Sequence, residues 1–75
     1  MDRLAAGMQV FDVSDRRVGE VLGIRAQYGF CVKRDAEQDD IWLPQSAIFN
    51  VERSRVTLVC NRAQLGRYKI DPPSA

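Results

Sequence analysis

No apolar stretch in this 75-residue chain runs more than a few positions before a polar or turn-forming cluster interrupts it. Helices long enough to build a core are thereby excluded, because a helical core face needs apolar residues at i, i+3, i+4 and i+7 sustained over ten or more positions. Six short apolar segments recur instead at spacings of roughly 8 to 12 residues, the mark of a small all-β domain. Length limits what that domain can enclose. A chain this short buries about 60% of its unfolded surface and draws ~3 to 5 kcal/mol from a single core, so a deep substrate pocket is not expected.

Gly7 opens Met8–Val13, whose alternation predicts the first strand. Ser14–Arg17 is polar and turn-prone, since Ser and Asp side chains accept from backbone amides two residues on, and a hairpin is expected there. Val18–Arg25 sets β-branched residues around Gly19 and Gly23. A helical packing face with small residues four apart competes here, but two glycines inside a helix cost roughly 2 kcal/mol relative to alanine. A strand with a bulge or sharp bend is the better reading. Tyr28 and Gly29 lead into Phe30–Lys33, with Phe30 and Val32 expected to face inward. The acidic loop Asp35–Asp40 follows, and Ile41–Leu43 resumes the sheet until Pro44, which cannot donate to a ladder.

Gln45–Ala47 fits one 3₁₀ turn, and Ile48–Val51 with Val56–Cys60 make a third hairpin across Glu52–Arg55. Asn61 is expected to cap a single helical turn, Arg62–Leu65, stopped by Gly66. Residues 1–6 are then an N-terminal arm, 7–69 a single β-barrel domain and 70–75 a flexible tail. Closing the six strands would pair the sheet edges and enclose Val10, Val21, Ile24, Phe30, Val32, Leu43, Ile48, Val51, Val56 and Leu58.

Eleven Lys and Arg against ten Asp and Glu leave a formal charge of +1, so no overall field favours nucleic acid or an anionic membrane. There is no histidine, which removes the commonest general base and the commonest transition-metal ligand together. Ser14, Ser46, Ser54 and Ser74 therefore lack the usual activating partner, and an enzyme is not expected. Cys31 and Cys60 form no CxxC and are read as small apolar residues, neither zinc ligands nor a disulfide. With no signal-like segment and no stretch approaching the ~20 apolar residues of a spanning helix, a cytoplasmic location without membrane insertion is expected.

Four stretches carry a family likeness: GMQVFDVSDRRVGEV at 7–21, GFCVKR at 29–34, IWLPQSAIFNVE at 41–52 and RVTLVCNRAQ at 55–64. Their order resembles the PRC-barrel superfamily, most of all its small stand-alone members of unknown function. Gly7, Asp12, Asp15, Val18, Gly19 and Val21 fall in the places of the family's first hairpin, and Leu43, Pro44, Ile48 and Val51 match its apolar-Pro turn and following strand. Arg16 stands where the family turn often has Gly, and Ser46 and Ala47 where it tends to carry a bulky aromatic. The resemblance implies an all-β, six-stranded, SH3-like barrel built of hairpins with a short C-terminal helical turn. It also implies an adaptor, since members such as the cytoplasmic domain of the photosynthetic reaction centre H subunit and the C-terminal domain of a ribosome-maturation factor dock on partners.

Three surfaces are candidates for function. If Ile41 and Leu43 face inward, Trp42 faces outward, and Phe49 likewise lies opposite Ile48. With Tyr28 these aromatics could contact a protein partner or a second copy in a homodimer, unless the terminal segments, with Leu65 and Tyr68 as lids, cover them. Arg53, Arg55, Arg62, Arg67 and Lys69, with Tyr68 as a stacking group, form the alternative, an RNA- or ribosome-associated face. The carboxylates Asp35, Glu37, Asp39 and Asp40 lack the spacing and central glycine of a calcium loop, so a solvated loop is expected, with no metal and no cofactor.

Overall fold

In a computed structural model that describes residues 3–36 and 39–73, the chain forms one six-stranded sheet and one short helix. The strands are β1 (Gln9–Phe11), β2 (Arg17–Arg25), β3 (Gly29–Arg34), β4 (Asp40–Leu43), β5 (Ile48–Glu52) and β6 (Arg55–Leu58). A 3₁₀ turn at Gln45–Ala47 separates β4 from β5, and a second at Arg62–Gln64 runs into α1 (Leu65–Tyr68). No helix among the described residues is long and apolar enough to cross a membrane.

The order across the sheet is β4-β3-β2-β1-β6-β5, so the antiparallel run β1 to β4 and the β5–β6 hairpin join through a parallel β1–β6 pair. Parallel strands need a long crossover, and here the whole of β2 to β5 supplies it. The sheet is not closed: β4 and β5 remain its edges. Pro44, ahead of the 3₁₀ turn, ends β4 before it could pair with β5.

Cross-strand register sets the inner face. Val10 lies between Val56 and Gly19, and Val56 opposite Val51. On the other wing Val21 is level with Val32 and Ile41, and Phe30 with Leu43. Eight of the ten side chains expected inside are buried; of the other two, Ile48 is half-buried against the core and Ile24 is 41% exposed. Ile24 lies level with the fully buried Phe30, but on the part of β2 that runs past its pairing with β1. Val18, Ile41, Ala47, Cys60 and Leu65 complete the core.

Both cysteines are free and buried, as their reading as apolar residues requires. Burial pushes the Cys31 thiol up, helped by the charge of Asp40, and does the same to Cys60 with help from Asp12. A raised thiol pKa disfavours the nucleophilic thiolate form.

Asn61 caps the C-terminal turn as expected: its side chain accepts from the Gln64 N–H at 3.1 Å, while the Gln64 side chain accepts from the Asn61 N–H. Gly66 does not stop that turn. It sits inside α1, which ends where Lys69 takes extended angles, φ −58° and ψ 135°. Residues 70 and 71, expected at the start of a flexible tail, are held to the sheet: the Ile70 N–H donates to the Trp42 carbonyl at 2.9 Å.

Candidate functional site

The first strand stops at Phe11 because Asp12 gathers the chain around its carboxylate. Oδ1 accepts from the Ser14 and Arg16 amides, each at 2.9 Å, and Oδ2 accepts from the Arg62 amide at 3.1 Å. Asp12 is 1% exposed, the one buried charged side chain among the described residues. Burial works against its charge and is the largest single influence, yet the amides of Arg16, Arg62 and Ser14 and the Arg16 guanidinium outweigh it. The carboxyl is held below its ordinary range. The loop 12–16 is thus an Asx-type turn organised by Asp12, where Ser14 and Asp15 were expected to provide the side-chain acceptors. Asp15 takes the left-handed conformation at φ 67°, which Asp tolerates better than most residues.

The three aromatics proposed for contact come from different parts of the sheet: Tyr28 just ahead of β3, Trp42 on β4 and Phe49 on β5. Trp42 points away from the core between the buried Ile41 and Leu43, yet it is only half-exposed. Tyr28 packs edge-on against it, with centroids 6.1 Å apart and planes at 64°, and donates its hydroxyl proton to the Asp71 carbonyl. Together with the Ile70 bridge, this folds the C-terminal segment over β4 as a strap. Leu65 is buried in the core, and the segment seen on Trp42 and Tyr28 is Ile70–Asp71: the Ile70 N–H pairs with the β4 edge and the Asp71 carbonyl accepts from Tyr28. Deleting residues 70–75 should red-shift the emission of Trp42, the one tryptophan, and lower stability by about 2 kcal/mol. Unchanged emission in a folded variant would mean that the strap does not shield the ring.

Phe49 lies on the other edge strand. The β5–β6 register slips between Ile48 and Asn50, so Phe49 is the extra residue of a bulge, without a partner on β6. It is 67% exposed, the most exposed large apolar side chain among the described residues. Val59, just beyond β6, is 36% exposed, and its N–H donates to the Ala47 carbonyl. An aromatic beside an unpaired strand edge provides both an apolar anchor and a row of backbone hydrogen-bonding groups.

The C-terminal cations are divided. Arg53, at φ 54°, and Arg55 precede and open β6, whereas Arg62, Arg67 and Lys69 follow it. Arg55 is committed elsewhere: it is ion-paired with Asp15 and its guanidinium carbon lies 3.8 Å from the centre of the Phe11 ring. Tyr68 is half-buried against the core. Of the acidic loop, Glu37 lies outside the described residues, Asp35 accepts from Arg17 Nε at 2.6 Å, and no acidic, His or Cys cluster suited to a metal occurs among the described residues.

Comparison of the chain with protein-family models, with curated proteins and with solved structures finds no match.

Proposed function

We propose that this protein is a non-enzymatic interaction module, a PRC-barrel-like β domain that docks on a protein partner or on a second copy through the β5 edge around Phe49. The observation that carries this reading is the placement of a 67% exposed phenylalanine on the bulge of an edge strand. A monomer gains nothing from exposing that ring, whereas an interface that buries it gains roughly 1.5 to 3 kcal/mol. Trp42 and Tyr28 have a different role, holding the C-terminal strap on the opposite edge.

The reading as a non-enzyme draws on the absence of histidine and on two buried cysteines whose thiols burial pushes up. An RNA-associated role through Arg53, Arg55, Arg62, Arg67, Lys69 and Tyr68 has less support, because Arg55 is already ion-paired with Asp15 and Tyr68 is half-buried against the core.

Phe49→Glu tests the docking edge without touching the core. The variant should unfold at the same denaturant concentration as the parent, within about 0.5 kcal/mol, as exposed positions do. Its capture of a nuclease-resistant partner, or its self-association by sedimentation, should fall at least about tenfold, as for loss of an anchor residue. Association unchanged by this substitution would move the contact away from β5.

A further inference from the structure

An open cleft of about 630 Å³ lies between the Asp12-centred turn, the end of β3 with the loop that follows, and the C-terminal helical turn. Three arginines line it, and each comes from a different segment: Arg16 from the turn, Arg34 from the end of β3 and Arg62 from the first position of the second 3₁₀ turn. We propose that this cleft is a binding site for a small organic phosphate, and that Arg16, Arg34 and Arg62 hold its phosphate oxygens.

The charge balance supports an anion. Among the described residues Asp12 is the one carboxylate lining the cleft, and both of its oxygens are already committed to the backbone amides of Ser14, Arg16 and Arg62. The nearby Asp35 is held by Arg17 on the exposed surface. Among the described residues Arg16, Arg34 and Arg62 make no ion pair, and Arg34 donates through Nε to the Asp39 carbonyl. Among the described lining residues three arginines stand against one buried carboxylate, a positive balance in a chain whose total charge is only +1.

The shape selects phosphate over carboxylate. One planar guanidinium fork satisfies the two coplanar oxygens of a carboxylate, whereas arginines drawn from three separate segments suit a tetrahedral group with oxygens in several directions. The volume is larger than a bare ion requires and falls within the ~300–1,000 Å³ of small-molecule sites. Val18 and the buried Leu65 add an apolar part to the wall, against which the organic body of an ester would rest. Such a site does not involve Phe49 and goes beyond the docking role.

Titrating the full chain with ADP and, separately, with pyrophosphate, followed by amide NMR at low salt, tests the assignment. Saturable shifts are expected at Ser14, Arg16, Arg62 and Ala63, with ADP binding more tightly than pyrophosphate. Arg34→Gln and Arg62→Gln should each weaken ADP at least about tenfold, the loss expected for one charge-assisted contact. Arg62 is exposed, Arg34 is half-buried, and neither substitution removes an amide from Asp12, so both variants should keep a cooperative melt; agreement between the two variants guards against misfolding of either. Phe49→Glu should bind ADP as the parent does. Shifts that rise linearly without saturating, equal shifts with sulfate at matched ionic strength, or undiminished binding in both arginine variants would each overturn the site.

Discussion

Gly19→Ala is expected to abolish the cooperative fold or bring it to the edge of unfolding. Gly19 sits on β2 between Val10 of β1 and Arg34 of β3. A β-carbon there would lie 1.8 Å from the Lys33 carbonyl oxygen, 2.8 Å from its carbonyl carbon and 3.0 Å from the Arg34 α-carbon. All three atoms are backbone, so no side chain can swing aside, and β2 and β3 must part at the centre of the sheet. Overpacking of this kind costs about 3 kcal/mol or more. At ~0.05 to 0.15 kcal/mol per residue, the whole domain holds only about 4 to 11 kcal/mol. Gly23→Ala is the control: nothing lies within 4 Å of its added carbon, and a small gain or no change is expected. Urea unfolding followed by Trp42 emission distinguishes the two; equal midpoints for Gly19→Ala and the parent would show that the strands can spread at little cost.

Asp12→Ala should cost about 3 kcal/mol, because it leaves three amides without their acceptor and separates two parts of the chain. The carboxylate closes the β1–β2 turn through Ser14 and Arg16 and ties it to Arg62, 50 residues away in sequence. Asp12→Asn keeps the volume and one carbonyl acceptor but points a donor at a donor, so a loss of about 2 kcal/mol is expected. The pH dependence has a definite sign. Because the folded-state pKa lies below the unfolded one, ionised Asp12 stabilises the fold above the unfolded value, about pH 3.9. That contribution drains away as pH falls through the folded pKa. Melting of the parent should therefore drop steeply below about pH 4, and the Asn variant, with no proton to take up at this site, should show a shallower acid limb. Identical acid limbs would mean that other carboxylates govern acid unfolding.

The strands were legible because alternation and turn residues act locally. Pro44 ends β4, Asn61 caps the C-terminal turn, and Phe30 and Val32 face inward, each as the immediate sequence dictates. What escaped was long-range. The parallel β1–β6 pair joins segments 46 residues apart, as Gln9 with Arg55, and no local pattern encodes it. The glycines of β2 looked alike as a bend signal, and each does adjoin a bulge, Gly19 beside Val18 in the pairing with β1 and Gly23 beside Leu22 in the pairing with β3; that Gly19 also serves the close approach of β3 was not legible. Asp12 looked like one more polar residue in a strand, since its partner amides cannot be identified before the fold brings Arg62 to it.

The candidate surfaces divide in the same way. Exposure of Phe49 follows from its neighbour Ile48 packing on the core. The strap over Trp42 depends on Ile70 and Asp71 returning to β4, which a tail containing two consecutive prolines did not suggest. The C-terminal arginines were grouped by nearness in sequence, whereas the cleft groups Arg62 with Arg16 and Arg34. Charge clusters on a folded surface are set by topology, and sequence spacing approximates them only within one helix or strand.

Site-specific photocrosslinking tests docking at β5 most directly. A benzophenone side chain replaces Phe49 in one preparation and the exposed Leu22 of β2 in another, and each is irradiated in nuclease-treated host lysate and as the purified protein. Position 49 is predicted to give a discrete crosslinked species, either with one partner protein or at twice the chain mass, and position 22 none. No discrete product from position 49, or the same products from both positions, would contradict a docking role for the Phe49 edge.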